Sequence, residues 1–258
     1  MDSLQNILGI YFNNVSIIEL LHIIYSKVKL KEKFIISSPN VYICNYAAKN
    51  AYFASLINSF SFVNPDGIGV YLASKFLFGK KGLLERPTGT TGTDLLFRLF
   101  KEYYDLKYFL IGGVENCMER IQENFSFSSN SNNIKIVGSI YKISDSFCDF
   151  NIINKSGADI LMVALGTPHQ EEWIIKNKDK IDVPVIIAVG SGLDFLAGVK
   201  KRAPLWIQKI GLEWLYRLFQ EPKRLWRRYL AGIPVFTYRV LIQKIKKKKF
   251  KNILVSGI

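Results

Sequence analysis

Cysteine is scarce and follows no pairing pattern. Cys44, Cys117 and Cys148 are the whole complement, an odd number without a CxxC spacing. A disulfide framework and a zinc ribbon are therefore excluded, and a reducing cytoplasm fits. Histidine occurs only at His22 and His169, so there is no HExxH and no Cys/His ligand set. His22 falls on an apolar helical stretch and reads as a packed residue. DxD, GxSxG and P-loop sequences are all missing, which removes the usual metal-diphosphate, serine-hydrolase and nucleotide-hydrolase signatures. No metal and no cofactor is expected. No uninterrupted apolar run reaches the roughly 18 residues of a membrane-crossing helix. The first residues, MDSLQNILGIYFNN, lack a basic stretch leading into an apolar one, so no secretory signal is expected.

Acidic residues are scarce in one region only. Residues 1–199 hold 19 Lys and Arg against 19 Asp and Glu. Residues 200–258 hold 16 Lys and Arg against two acids, Glu213 and Glu221, and so carry the entire net charge of +14. The chain thus divides into a neutral body, 1–197, and a basic appendage, 198–258. In the appendage arginines alternate with aromatics, among them Trp206, Trp214, Arg217, Phe219, Arg224, Trp226, Arg227, Arg228 and Tyr229, and the sequence then runs into KIKKKKFK. Amphipathic segments of Trp, Tyr and Arg suit a membrane interface, and a lysine cluster suits an anionic leaflet. Single-stranded nucleic acid is the rival partner, because arginines and aromatics also stack on bases.

What is abundant is core-forming material. Of 258 residues, 49% are hydrophobic and 14% aromatic, enough for one large domain and too much for a disordered chain. Residues 4–30 read as helix-rich, with Ser16 as an N-cap, and Tyr42–Ser59 reads as one helix. FIIS, FVNP, KYFLIGG, IKIVGSI, ADILMVAL and VPVIIAVG read as buried strands, separated by amphipathic helical stretches. That alternation predicts an α/β fold: a Rossmann-like, mostly parallel sheet flanked by helices. Ligands of such sheets bind where strands end, so the motifs SSPN, NPDGIG, LIGG and LGTPHQE should converge on one cleft.

NPDGIG places Asp66 after a strand and before glycines that let a helix N-terminus approach a ligand. This suits a general base beside an anion, and equally a turn aspartate. LIGG, with Gly112 and Gly113, is an incomplete dinucleotide-type turn. GTPHQEEW offers Gly166 for a turn, Thr167 and Gln170 as hydrogen-bonding groups, and Glu171; His169 there suits a titrating group or an inert loop residue. Arg86 heads the Gly/Thr-rich ERPTGTTGTD, where it suits a phosphate clamp or a solvated arginine.

On NPDGIGV, LGTPHQEEW and GSGLDFLAGVKKRAPLWIQKIGLEWLYRLFQEPKRLWRRYL the chain resembles the bacterial WecG/TagA/CpsF glycosyltransferases, from Ile7 to Leu230. The resemblance implies a Rossmann-like, metal-independent, inverting enzyme. It would move a hexose or N-acetylhexosamine such as N-acetylmannosamine from a UDP-sugar donor to an undecaprenyl-diphosphate-linked sugar acceptor. UDP-glucose or a uronic acid donor is the alternative. Residue by residue, the family's T-x-N falls on Ser38-Pro39-Asn40, with serine for threonine. Its base falls on Asp66, its arginine on Arg86, and the aspartate of the following loop on Asp94. Its P-K-Q-E-x-W falls on Pro168 to Trp173, with His169 for lysine. Ser38, Asn40 and Gln170 would orient sugar hydroxyls, and Gly67, Gly69, Gly112, Gly113, Gly166, Thr167, Asp94, Glu171 and Asp194 would complete the substrate site. Arg217, Arg224, Arg227 and Arg228 would meet phosphate or lipid as the appendage closes at the membrane. The implied location is the inner face of the bacterial plasma membrane, with self-association allowed by an exposed apolar face and no nucleic-acid partner.

Overall fold

The computed structural model describes residues 4–83, 92–126, 134–143 and 148–255. Six strands form one parallel sheet: β3 (Phe34–Ser37), β4 (Phe62–Val63), β5 (Lys107–Gly112), β6 (Lys135–Ile140), β7 (Ile160–Ala164) and β8 (Val185–Ala188), in the spatial order β4-β3-β8-β7-β5-β6. They are preceded by an antiparallel hairpin of β1 (Gln5–Ile7) and β2 (Ile10–Phe12). The predicted α/β architecture is thus the observed one.

The central strands read as unbroken apolar runs because both faces of the sheet are covered. Alternation along each strand divides the core in two. Phe109, Ile111, Leu161, Val163 and Ile186 pack on one face. Tyr108, Leu110, Ile160, Met162, Val185 and Ile187 pack on the other. Tyr108 is fully buried, and its hydroxyl donates to the carbonyls of Leu99 (3.0 Å) and Tyr103 (2.8 Å), so its polar end is satisfied.

Two local readings need correction. Residues 4–30 are not helical throughout. A helix begins at Ile17 and runs to Leu30, capped by Ser16 in a reciprocal capping box with Glu19. Before it lies the hairpin, turned by Leu8 (φ 53°) and Gly9 (φ 91°), with Ile7, Ile10 and Phe12 driven fully into the core. The stretch 42–59 is two helices, Val41–Ala47 and Ala51–Asn58. Asn50 breaks them: its backbone is extended and its side chain accepts from the Phe53 N–H, capping the second helix.

Beyond Ala197 the chain forms short helices, Leu205–Ile210, Glu213–Gln220 and Pro222–Trp226, then a π-helical turn, Arg227–Ala231, and a long helix, Gly232–Val255. The long helix lies on the body. Asn45 donates to the Gly232 carbonyl (2.7 Å), Arg239 donates to the Asn45 carbonyl (2.8 Å), and the Gln243 amide bonds the Asn6 carbonyl (2.9 Å) and the Leu8 N–H (3.0 Å). Among the described residues no helix is long and apolar enough to cross a membrane.

Candidate active site

All six strands of the sheet point the same way, so the loops after them collect at one edge. The loop after β3 and the loop after β4 are joined directly, because the Asp66 N–H donates to the Pro39 carbonyl (3.1 Å) and the Asn64 amide donates to Ser38 Oγ (3.3 Å). Asn40 then caps the helix Val41–Ala47, its Oδ1 accepting from the Tyr42 (3.0 Å) and Ile43 (3.4 Å) N–H groups. Gly67 precedes the helix Ile68–Phe78 at φ 84° without a side-chain cap, and the helix start meets the cleft through Gly67, Ile68 and Gly69. Gly69 is required for a different reason: a Cβ there would sit 2.4 Å from Val41 Cγ2, so this helix meets its neighbour only without a side chain.

These loops and the appendage enclose a cavity of about 570 Å³, whose walls include Asn40, Tyr42, Asp66, Gly67, Glu213, Trp214, Arg217 and Arg228. Asp66 Oδ1 accepts from the Gly92 N–H (3.2 Å). Burial pushes the Asp66 carboxyl above the ordinary carboxylate range. The Gly92 N–H, then Arg217, Asn40 and Arg228, oppose that rise without cancelling it. Arg217 reaches in from the helix Glu213–Gln220: its Nη2 donates to Ser191 Oγ (2.8 Å) and its guanidinium lies 5.2 Å from the Phe195 ring centroid. Arg228 comes from the π-helical turn. Its Nη2 donates to Asn40 Oδ1 (3.2 Å) and its guanidinium lies over Tyr42 at 4.5 Å. Burial and, among the neighbouring charges, Arg217 hold the Arg228 pKa below its ordinary value. The Nε atoms of both arginines are buried and make no hydrogen bond. Two cations with unspent donors beside one carboxylate form a site prepared for an anion.

Other expected site residues fall elsewhere on the same edge. Gly112 (φ 83°) and Gly113 (φ 82°) turn the chain after β5. Gly166 (φ 77°) turns it after β7, ahead of a cis Thr167–Pro168 bond. Gln170 is buried; its Oε1 accepts from the Gly190 N–H (3.0 Å) and its amide donates to Glu171 Oε1 (2.8 Å), which also accepts from Thr167 Oγ1 (3.2 Å). Gln170 therefore ties the loop after β7 to the loop after β8. Asp94 pairs with Arg202 (2.5 Å) and Asp194 with Lys200 (2.8 Å), so both acids hold the start of the appendage. Arg224 pairs with Glu221 (2.6 Å) on the surface, and Arg227 stacks on Trp226 at 5.1 Å. Neither of those two arginines lines the cavity. Arg86 lies outside the described residues.

Sequence reasoning missed Glu213, Trp214, Tyr42 and Arg202. Glu213 lines the cavity and accepts from Arg202 Nε (3.3 Å); burial raises its pKa, and Arg202 opposes the rise. Its being one of only two acids in the basic appendage was an available clue.

Glu171 supplies a prediction. It is fully buried, one of its oxygens lacks any partner, and burial pushes its pKa up to about 7. A carboxyl whose folded pKa is raised contributes stability that is complete below its unfolded value and is lost as pH rises through the folded one. Stability should therefore fall by a few kcal/mol between about pH 4.5 and 7 on this group's account. Glu171→Gln should flatten that part of the melting-temperature profile and melt higher than the parent at pH 8. An unchanged slope would refute the assignment.

The profile of the Glycosyl transferase WecG/TagA/CpsF family matches residues 5–250. The chain is 30% identical to an N-acetylglucosaminyldiphosphoundecaprenol N-acetyl-beta-D-mannosaminyltransferase of Staphylococcus aureus strain MW2, and 31% identical to the protein of the same name from strain MRSA252, in each case over 95% of both chains. A parallel-sheet cleft holding the desolvated Asp66 with Arg217 and Arg228, together with an end-to-end match of this kind, makes the protein a glycosyltransferase: the chain belongs to the WecG/TagA/CpsF family.

Proposed function

We propose that this glycosyltransferase moves N-acetylmannosamine from UDP to N-acetylglucosamine carried on undecaprenyl diphosphate, with inversion and without a metal ion. The sugar and acceptor are those in the names of the staphylococcal relatives. The observation that carries the mechanism is Asp66, desolvated at the cleft and faced by Arg217 and Arg228. Asp66 takes the proton of the acceptor hydroxyl. That oxygen forms a bond to the anomeric carbon from the face opposite the departing UDP, and the sugar–phosphate bond breaks with its electron pair going to the diphosphate. The growing negative charge meets the guanidinium donors, whose placement before the reaction is what lowers the barrier. Asn40 is tied to both partners, since it hydrogen-bonds Asp66 and accepts from Arg228.

The appendage suits a lipid substrate. Leu205, Trp206 and Phe219 are 72%, 65% and 78% exposed, beside a strongly basic segment, a combination that favours an anionic bilayer surface over water. The enzyme would then work peripherally on the inner leaflet, where the appendage closes the cleft and excludes water.

The test is UDP release from a panel of UDP-sugars, with a lipid-diphosphate N-acetylglucosamine acceptor and EDTA present. UDP-N-acetylmannosamine should be the best donor, with at least about half the rate surviving chelation. Loss of activity in EDTA that magnesium restores would overturn metal independence. Turnover with UDP-glucose or a UDP-uronic acid alone would overturn the donor.

A further inference from the structure

The cavity does not end at the charged groups. It continues between two helices as a trough with apolar walls: Leu72, Ala73 and Phe76 on the helix Ile68–Phe78, and Phe236, Val240 and Leu241 on the helix Gly232–Val255. Each set repeats at helical spacing, so each is one face of its helix. The two helices lie side by side and run the same way. Both start against the helix Val41–Ala47: Gly69 meets Val41 Cγ2 closely, and Asn45 donates to the Gly232 carbonyl (2.7 Å). At the other end Lys244 Nζ donates to the Phe76 carbonyl (2.7 Å) and lies over the Phe76 ring at 5.4 Å. The trough therefore starts at Asp66, Arg217 and Arg228 and leads away from them.

We infer that this trough holds the first isoprene units of the acceptor's polyprenyl chain, with its diphosphate at the arginines. The inference rests on the lipid-linked acceptor proposed above. The floor residues Ala73, Phe236 and Val240 are buried, but the rim residues Leu72 (57% exposed), Phe76 (46%) and Leu241 (43%) are open. A nucleotide or a sugar gains nothing from such a rim. An amphiphile with an anionic head and a linear run of methyl-branched apolar units matches both the charge at one end and the walls along the rest. From Ile68 to Phe76 the helix advances about 12 Å, room for roughly two or three isoprene units before the chain passes into the bilayer. The role assigned to the trough is to fix the acceptor's direction, so that its sugar hydroxyl faces Asp66.

The experiment needs no membrane. Inorganic diphosphate and dimethylallyl, geranyl and farnesyl diphosphates are titrated calorimetrically without vesicles or detergent, against the parent, Thr237→Trp and Leu72→Asp. Thr237 and Leu72 are exposed residues on the trough wall, so neither change disturbs the core. Affinity of the parent should rise at least about fivefold per isoprene unit, below the limit for full burial because the trough is open on one side. Both variants should lose that dependence on length. In the transfer assay both should lose at least about tenfold in kcat/KM with an acceptor carrying a farnesyl tail, and keep normal turnover with one carrying a methyl tail. Binding that ignores chain length in the parent, or equal losses with both acceptors, would overturn the trough. No transfer to either acceptor alongside length-dependent binding would instead overturn the acceptor reading and leave the trough standing as an isoprenyl diphosphate site.

Discussion

Replacing Asp66 with asparagine is expected to lower turnover at least about 100-fold while leaving UDP-sugar affinity within about threefold. Asparagine keeps the oxygen that accepts from the Gly92 N–H and nearly the same shape, but it cannot take a proton. Two companion measurements separate a lost base from a damaged fold. Because burial raises the carboxyl's folded pKa, the basic form appears only above the ordinary carboxylate range, and the parent's kcat/KM should climb with pH through that folded value. The asparagine variant should show no such limb. Stability gives the opposite sign. A group with a raised folded pKa loses its contribution as pH rises through that value, so above it the parent carries the whole penalty of an ionised Asp66 and the variant carries none. The variant should melt no lower than the parent. Near-normal turnover at pH 7 would remove Asp66 from the chemistry.

The sheet was legible in the sequence because its strands are buried on both faces. FIIS and VIIA are short β-branched runs that end in polar or glycine-rich loops, and they became β3 and β8. The hairpin was not legible. Its strands have three residues each, and Leu8-Gly9 turns them without an Asn-Gly or Asp-Gly pair. Asp66 and Asn40 could be placed at the cleft from the motifs around them, because each directly follows a strand of a parallel sheet. The appendage arginines could not be sorted. Glu221, with φ −132°, interrupts the helices on either side of it, and the π-helical turn from Arg227 shifts the register again. Helical phase is reset at each break, so spacing alone cannot tell that Arg217 and Arg228 face the cavity while Arg224 pairs with Glu221 outside it. Glu213 and Arg202 were missed for a related reason: Asp94, which Arg202 holds together with Glu213, lies far away in the sequence.

Truncating Arg228 to alanine should reduce kcat/KM by roughly 10²–10³, the loss expected when one preorganised donor to a developing anion is removed. Its surroundings explain why the effect should be large. The guanidinium is desolvated and shares the cleft with Arg217; among the described residues it makes a single hydrogen bond, to Asn40, and its Nε has no partner. Such an arrangement gains little in the resting protein, so removing it should leave the melting temperature unchanged or raise it. Lysine should not substitute. It restores a charge, but not the planar fork or the stacking on Tyr42, and at least about a tenfold deficit should remain. The same variant should also disturb the base. Arg228 helps to hold the Asp66 pKa down, so without it the acidic limb of the pH profile should move to higher pH, whereas in Asp66→Asn the limb disappears. A loss below about threefold in kcat/KM, or an acidic limb that stays where it was, would separate Arg228 from the reacting groups and leave Arg217 as the sole described cation at the diphosphate.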